Sequence, residues 1–213
     1  MAKLPAPPSP RELARRTEPD PRRLPGGTLL WRVYFRAGPH PTTWSMFRAH
    51  GPTNGRFDHH LPDPSDAAWH HADRAILYLA VDGPTCIAEA FQDGRTIDRK
   101  ARDPWLVGLR IRRPVTLLDL TGTWPTRAGA SMKISCGPRP TAQRWSRTIY
   151  EAYPEIEGIC YGSSMRANKP CVALYERAAD AMPDRPLFNR PLNDPTWLDV
   201  LRNTATDLGY LLV

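Results

Sequence analysis

The sequence predicts an α+β domain in which several short strands are interrupted by two or three helices. Several stretches alternate apolar and polar side chains, as half-buried strands do. Strands and helices do not alternate strictly, so a doubly wound parallel sheet is disfavoured. The 24 prolines among 213 residues indicate short elements and many loops. A chain of this length can bury the core of one full domain.

Charge and cysteine usage exclude several classes of protein. The net charge is +7, and most of the cations are arginines, whose planar guanidinium groups suit phosphate recognition. Cys86, Cys136, Cys160 and Cys171 show no C-x-x-C spacing, so neither a zinc ribbon nor a redox motif is indicated. No apolar run approaches membrane-spanning length, and the N-terminus lacks the apolar region of a signal peptide. We therefore expect a cytoplasmic protein without a membrane partner.

Residues 1–27 are rich in proline and charge and contain almost no large apolar side chains. Such a segment cannot bury enough apolar surface to offset the entropy of ordering it. We therefore predict a poorly ordered N-terminal extension that packs loosely over the domain.

Residues 28–35 form the first predicted strand (TLLWRVYF). Alternation places Leu29, Trp31, Val33 and Phe35 on one face, with Arg32 on the other. A charge inside an apolar strand is usually paired or functional when it faces inward, whereas at a sheet edge it is simply solvated. The strand alone leaves both possibilities open.

Residues 36–74 are irregular and contain four histidines that invite a metal interpretation, namely His59, His60, His70 and His71. Their spacing matches no standard ligand pattern, and adjacent strand residues point to opposite sides. We predict a polar loop and no metal site. Arg56, beside the flexible Gly55, is a plausible phosphate contact in this region.

Residues 76–91 join a short apolar strand to a helix that starts near Pro84. Asp82 and Gly83 make the turn, and proline is favoured in the first turn of a helix. Ile87 and Phe91 would form the buried stripe. At about 100° per residue, Glu89 leaves that stripe and faces elsewhere. It is either a surface charge or the centre of a site.

The remainder of the chain alternates further strands with two helices. Residues 122–140 are predicted to be a loop, and Pro154 is expected to end the helix 141–153. A last helix follows the Pro-rich residues 181–193, with Asp194 as its N-cap and Gly209 as its stop. The predicted strands are 105–111, 115–120, 159–164 and 171–175.

Four features could converge if these strands form one sheet: Arg32, Tyr78, Glu89 and the pair Ser163-Ser164. An arginine can hold a diphosphate, an aromatic ring can stack on a base or a nicotinamide, and a glutamate can grip a ribose hydroxyl. A carboxylate can also stabilise a positively charged sugar carbon. The set suits chemistry on a dinucleotide. The sequence contains no G-x-G-x-x-G, no P-loop lysine motif and no G-x-S-x-G elbow.

The order of the short motifs resembles that of the RES family, named for an Arg, a Glu and a Ser, the toxins of RES–Xre toxin–antitoxin pairs. The eleven-residue step from Tyr78 to Glu89 is part of that resemblance, which covers about residues 28–178. The matching pieces, in order, are Leu30–Val33 (LWRV), Gly55–Phe57 (GRF), Leu77–Ala80 (LYLA), Glu89, Gln143–Trp145 (QRW), Gly158–Ser163 (GICYGS) and Val172–Tyr175 (VALY).

The resemblance implies an ADP-ribosyltransferase-like mixed sheet with a few helices. It also implies phosphorolysis of NAD to nicotinamide and ADP-ribose-1″-phosphate, with NAD as a substrate, phosphate as co-substrate and no resident cofactor or metal. Arg32, Glu89 and Ser163 carry over as the catalytic trio, with Ser164 as the rival of Ser163. Arg56 and Tyr78, together with Arg32 and Ser163, carry over as NAD-binding residues. The implied partner is an Xre-type antitoxin.

Residues 28–178 would form the RES domain, and 179–213 would be a C-terminal extension with one helix packed on it. Two departures from the family pattern bear on the pocket entrance. Asp58 stands where many members have Asn or His, and the segment 58–74 is longer than usual.

Alternatives concern the acceptor and the class of protein. Water as the acceptor would make an NAD glycohydrolase, and a macromolecular side group a mono-ADP-ribosyltransferase. A non-catalytic basic nucleic-acid binder would concentrate its arginines on one element among aromatic residues. The arginines here are dispersed, so no direct nucleic-acid partner is expected.

Overall fold

The computed structural model describes residues 3–213 and contains one large mixed sheet with helices packed on it. The α-helices are α1 (Pro10–Arg16), α2 (Gly83–Ala90), α3 (Trp124–Arg127), α4 (Arg139–Ala152) and α5 (Leu198–Leu208). The strands are β1 (Pro21–Leu24), β2 (Leu29–Phe35), β3 (His50–Gly51), β4 (Trp69–His70), β5 (Ile76–Ala80), β6 (Thr96–Ile97), β7 (Pro104–Arg110), β8 (Val115–Asp119), β9 (Gly158–Gly162), β10 (Pro170–Tyr175), β11 (Phe188–Pro191) and β12 (Leu211–Leu212).

The large sheet has the strand order β1-β8-β9-β10-β5-β2-β7-β11. Its neighbours pair antiparallel except β8 and β9, which are parallel. The long antiparallel pairing of β2 with β7 contrasts with a single pair, Trp31 with Ala80, between β2 and β5. The sheet is therefore loosely joined at its centre, between β2 and β5.

The sheet has a hydrophobic cluster on each face. One cluster contains Ile87, Phe91, Trp145 and Ile149 from α2 and α4, so the predicted stripe of α2 is buried as expected. The opposite cluster contains Leu30 of β2, and the side chains of Trp44 and Phe47 pack against it. The side chains on the two faces of β2 therefore lie in two different hydrophobic clusters.

The helix boundaries follow from local capping. The side chain of Asp82 accepts the N–H of Thr85 at 2.7 Å, which starts α2 where the sequence predicted it. A 3₁₀ turn, Pro195–Trp197, precedes α5, and the left-handed Gly209 (φ 65°) ends that helix. Residues 122–140, predicted as a loop, instead contain α3 and a 3₁₀ turn, Met132–Ser135.

The N-terminal extension is ordered, contrary to the prediction. Leu13 of α1 is fully buried, and β1 pairs with β8 along four residues. Buried aromatic side chains donate hydrogen bonds to its backbone carbonyls: Trp145 Nε1 to Pro5 O at 2.8 Å, and Tyr153 Oη to Thr17 O at 2.6 Å. Backbone acceptors and the buried Leu13 thus anchor a segment with few large apolar side chains, and composition alone does not reveal this. At the other end, β11 before the predicted helix and β12 after it also join sheets.

Three histidines of the supposed polar loop are buried, which corrects that prediction. His59 and His60 are fully enclosed and His71 nearly so. The ring of His60 donates through Nε2 to the carbonyl of Arg48 at 3.0 Å, and Nε2 of His59 lies 3.2 Å from Glu176 Oε2. These rings fill space under β5 rather than face water. No cluster of three or more potential metal ligands is found in residues 3–213.

The free energy of unfolding is expected to fall as the pH drops from 7 to 4. Burial lowers the pKa of His60 from 6.5 to about 4, and burial also lowers the pKa of His59. The unfolded chain therefore binds protons at these rings at a higher pH than the folded chain, so acidification favours unfolding. His60 should contribute to this fall between its ordinary pKa of 6.5 and about 4.

Urea unfolding measured between pH 4 and 7 tests this expectation. His60→Gln keeps a donor for the Arg48 carbonyl and removes the titrating ring, so the pH slope should flatten. The exposed His70 provides the control, because His70→Gln should leave the slope unchanged. A wild-type slope in His60→Gln would contradict the assignment.

Candidate active site

An open cavity of about 220 Å³ lies between the Glu89 helix, β5, the turn after β9 and the segment that leads into α4. It is on the face of the sheet that α2 covers. The lining side chains that carry chemistry are Arg56, Tyr78, Glu89, Ser135, Arg139 and Tyr161. Apolar lining comes from Val33, Ala80 and Cys86, among others.

Glu89 faces this cavity from the last turn of α2, opposite the buried stripe of that helix. Its Oε1 accepts the hydroxyl of Ser163 at 2.5 Å. The two residues are 74 positions apart in sequence, so this contact depends on the fold. Glu89 is therefore a carboxylate in the cavity wall whose position is fixed by a hydrogen bond, and it is not a solvated surface charge.

Ser163 is almost fully buried at the end of β9 and holds Glu89 in place. Besides donating to Glu89, its Oγ accepts the N–H groups of Met165 and Arg166, each at 3.1 Å. The neighbouring Ser164 is exposed and lines the cavity. The two rival serines thus have different positions: Ser163 supports the carboxylate, and Ser164 lies at the cavity wall.

Ser163→Ala is expected to lower kcat of any reaction that depends on Glu89 by about 10- to 100-fold, because a displaced reacting group costs rate. KM should change little, since Ser163 does not face the cavity. Steady-state kinetics separate the two constants. Ser164→Ala serves as the comparison and should affect KM more than kcat. An unchanged kcat in Ser163→Ala would show that Ser163 does not position Glu89 for the reaction.

Tyr78 lines the cavity from the middle of β5, and its hydroxyl makes two hydrogen bonds. It donates to Asp58 Oδ1 at 2.9 Å and accepts the N–H of Phe57 at 3.0 Å. Burial raises the pKa of Tyr78 well above its usual 10, and the charge of Asp58 adds to the rise. Tyr78 therefore remains a neutral ring, not an acid or base, at physiological pH.

Asp58, the departure from the family pattern, organises the loop that carries Arg56. Burial opposes its ionisation, but the charge of Arg48, 2.5 Å away, outweighs burial and lowers the pKa of Asp58. The backbone N–H and hydroxyl of Thr53 also donate to its Oδ2, at 2.7 and 3.0 Å. A Cβ on Gly55 would lie 2.2 Å from Asp58 Oδ1, so only glycine fits there.

Arg56 and Arg139 supply positive charge to the cavity. Nη1 of Arg56 donates to the carbonyl of Gly137 at 2.6 Å, while Arg139, the first residue of α4, has a long 3.4 Å contact with the exposed Asp93. Burial, and then the nearby charge of Arg139, lower the pKa of Arg56. Guanidinium groups carry a positive charge at neutral pH, so this part of the cavity attracts anions.

Arg32 is not among the residues that line the cavity, and its assignment to the catalytic trio and to NAD binding stays a prediction. Alternation along β2 puts it on the face of Leu30, opposite Val33, which lines the cavity. Its Nη1 donates to the carbonyls of Trp44 and Met46, at 3.3 and 3.0 Å. Burial lowers its pKa to about 10, so it remains charged. The geometry gives Arg32 a structural role and leaves Arg56 as the cavity arginine that the sequence singled out.

Several polar or aromatic cavity residues were not singled out from the sequence, among them Asn54, Gln92, Ser135, Arg139 and Tyr161. Arg139 was overlooked because the helix was expected to start at Thr141; an arginine at the true start of a helix is a recognisable anion signal. Tyr161 lies within the GICYGS motif, and its ring packs on Phe57 at a centroid distance of 4.7 Å. Ser135 gave no signal, because it sits in a segment assigned to loop.

Comparisons with known proteins agree with this architecture. The RES domain matches residues 29–197. One chain of the crystal structure of the M. tuberculosis MbcT-MbcA toxin-antitoxin complex superposes with a TM-score of 0.57 at 15% identity, covering 91% of this chain and 96% of that chain. No curated protein sequence matches. The predicted α+β class, with a mixed sheet and a few helices, is confirmed, and the fold is shared with the MbcT-MbcA chain. In residues 3–213 no helix is long and apolar enough to cross a membrane.

Proposed function

This chain belongs to the RES-domain family, and from that premise we propose that it is a toxin-type enzyme that degrades NAD. The reaction is phosphorolysis: NAD and phosphate give nicotinamide and ADP-ribose-1″-phosphate, and cellular NAD is depleted. NAD is consumed as a substrate, and neither a cofactor nor a metal is assigned.

The observation that carries the proposal is the carboxylate of Glu89, held by Ser163 in a cavity that also contains two arginines. Breaking the N-glycosidic bond of NAD creates positive charge on the ribose C1″, and a fixed carboxylate stabilises that charge. Arginines suit the diphosphate. The cavity thus offers a negative charge for the ribose, where positive charge develops, and positive charges for the diphosphate.

Binding would place the nicotinamide riboside inside and the adenosine outside. A cavity of about 220 Å³ is smaller than the roughly 300–1,000 Å³ pockets of drug-sized ligands, so it suits one half of a dinucleotide. The nicotinamide ring would pack by Tyr78 and Tyr161, with the ribose against Glu89. The diphosphate would extend towards Arg56 and Arg139, the two arginines in the cavity wall.

The chemical step needs little beyond charge stabilisation. As the C1″–N bond breaks, its electron pair neutralises the pyridinium ring, so nicotinamide leaves without protonation. An oxygen of phosphate then forms the new bond to C1″. Glu89 stabilises the oxocarbenium-like sugar between these events, which is the state that the site must bind most tightly. Ser163 acts through Glu89 by fixing its rotamer.

Product analysis tests the acceptor. Purified protein is incubated with NAD in phosphate and in a phosphate-free buffer, and the products are separated by chromatography and mass. Phosphorolysis requires phosphate and yields a phosphorylated ADP-ribose. Free ADP-ribose formed equally in both buffers would make the protein an NAD glycohydrolase, and label transferred to a macromolecule would make it a mono-ADP-ribosyltransferase.

A neutralising partner is part of the proposal, because an unchecked NAD-degrading enzyme would harm its host. The superposed chain comes from a structure described as a toxin–antitoxin complex, which supports an antitoxin for this chain too. We propose an Xre-type antitoxin that covers the cavity. Co-expression with the adjacent gene product tests this: the partner should co-purify and suppress NAD loss, and full activity in its presence would contradict it.

A further inference from the structure

Ser135 has an unsatisfied hydroxyl beside the cavity. The residue is only 6% exposed and lines the cavity, and its Oγ has no hydrogen-bond partner among residues 3–213. Buried hydroxyls are normally paired, so an orphan next to a cavity points to a ligand atom as its partner. Nothing in the mechanism above uses this hydroxyl.

Two guanidinium groups flank the same stretch of wall. Gly137 O, two residues after Ser135, accepts Nη1 of Arg56 at 2.6 Å, and Arg139 begins α4 two residues further on. Arg139 has only the long contact with the exposed Asp93, whose carboxylate is 3.4 Å away. The charge of Glu89 also acts on Arg56 from within the cavity, so the preference of this wall for an anion rests on its two neighbouring guanidinium groups and not on net charge.

The start of α4 adds a third source of donors. No side chain caps this 14-residue helix, whose N-cap is Pro138. The first backbone N–H groups of a helix have no intrahelical partner, and the positive end of the helix dipole favours negative charge. Because Pro140 has no N–H, the donors are those of Arg139 and Thr141. The wall therefore presents hydrogen-bond donors from the start of the helix beside the two guanidinium groups.

We propose that Ser135, Arg56 and Arg139, at the start of α4, form a subsite for a phosphoryl group. Phosphate oxygens accept from guanidinium, hydroxyl and helix N–H donors alike. The subsite deepens the proposed function and, in its role in turnover, rests on it. The phosphoryl group comes from inorganic phosphate or from the diphosphate of NAD, and the same chemistry serves both.

Binding of inorganic phosphate to the full chain, followed by calorimetry, tests the subsite without turnover. Ser135→Ala should weaken phosphate binding about 10-fold, as expected for a lost hydrogen bond to a charged group. Its melting temperature should not fall, because the hydroxyl has no partner to lose. A purely structural serine would show the opposite pattern. Arg139→Gln should weaken binding at least as much.

Arg144 provides a matched control on the same helix. It is exposed, outside the cavity, and contacts only Thr141 at 3.2 Å. Arg144→Gln removes the same charge from the protein and should leave phosphate affinity within about two-fold of wild type, since an exposed charge outside the cavity makes no hydrogen bond to the anion and is screened by solvent and salt.

Kinetics separate the two sources of the phosphoryl group. If inorganic phosphate occupies the subsite, Ser135→Ala and Arg139→Gln raise KM for phosphate and spare KM for NAD. If the diphosphate occupies it, KM for NAD rises and binding of ADP-ribose weakens. Either result supports the subsite. Wild-type affinity of both variants for phosphate and for ADP-ribose overturns it.

The measurement of phosphate binding does not depend on NAD turnover, so it tests the subsite separately from the proposed function. Weakened anion binding in a protein that never consumes NAD would leave the subsite standing and remove the enzyme assignment. If both variants consume NAD with wild-type KM values for phosphate and NAD and wild-type affinity for ADP-ribose, the enzyme assignment stands and the subsite is removed.

Discussion

Glu89→Gln is expected to lower kcat for NAD loss by about 10²- to 10³-fold, the usual cost of removing one electrostatic stabiliser of a transition state. Glutamine has nearly the same shape, and its Oε1 can still accept the hydroxyl of Ser163. What disappears is the negative charge beside the ribose. The rate should therefore fall while KM and the melting temperature stay close to wild type. Nicotinamide release measured over a range of NAD concentrations gives both constants.

The control for Glu89→Gln is Glu155→Gln, the same substitution at an exposed carboxylate outside the cavity. It should retain wild-type kinetics. If Glu89→Gln consumes NAD at the wild-type rate, the carboxylate does not stabilise the reacting sugar, and the catalytic assignment fails.

Arg56→Gln is expected to lower kcat/KM for NAD by about 10- to 100-fold, the range for one charged hydrogen bond to a diphosphate. Most of the loss should appear in KM, because the diphosphate is bound in both the ground state and the transition state. Stability should fall only modestly. The lost contact to Gly137 O involves a half-buried side chain.

Arg32→Gln is the informative comparison, because the sequence assigned that arginine to the site. The structure uses it to hold the carbonyls of Trp44 and Met46, so its replacement should lower the melting temperature and leave KM for NAD unchanged. A raised KM in Arg32→Gln with a normal KM in Arg56→Gln would reverse our assignment of the two residues.

The corner from β5 to α2 could be predicted because its signals are local. Asp82 caps the helix, Ile87 and Phe91 repeat at helical spacing, and Glu89 must then point away from them. The choice between Arg32 and Arg56 was not local. Alternation fixed the side of β2 on which Arg32 lies, but only the assembled sheet shows which side has the cavity.

Other differences arise from contacts between distant parts of the chain. The N-terminal extension is held by hydrogen bonds from Trp145 and Tyr153, more than a hundred residues away, to its carbonyls. The ring of His60 is buried and donates to the carbonyl of Arg48, whose own side chain pairs with Asp58. Composition reports whether a segment can bury apolar surface, but it does not reveal acceptors supplied to another segment's donors.

Asp58 shows how a departure from the family pattern can be accommodated. A carboxylate at this buried position requires a cation, and Arg48 supplies one. The same carboxylate accepts from Tyr78 and Thr53, so the departure also fixes the loop that carries Arg56. The pocket entrance is thereby shaped by a charged network where other members were expected to use a neutral side chain.

The most direct test of the central claim is a crystal structure of the Glu89→Gln protein with NAD. The nicotinamide riboside should lie in the cavity, with its ribose beside residue 89 and the nicotinamide ring near Tyr78. The diphosphate should contact Arg56 or Arg139 and should not approach Arg32. NAD bound elsewhere on the protein, with the cavity unchanged at saturating NAD, would contradict the account.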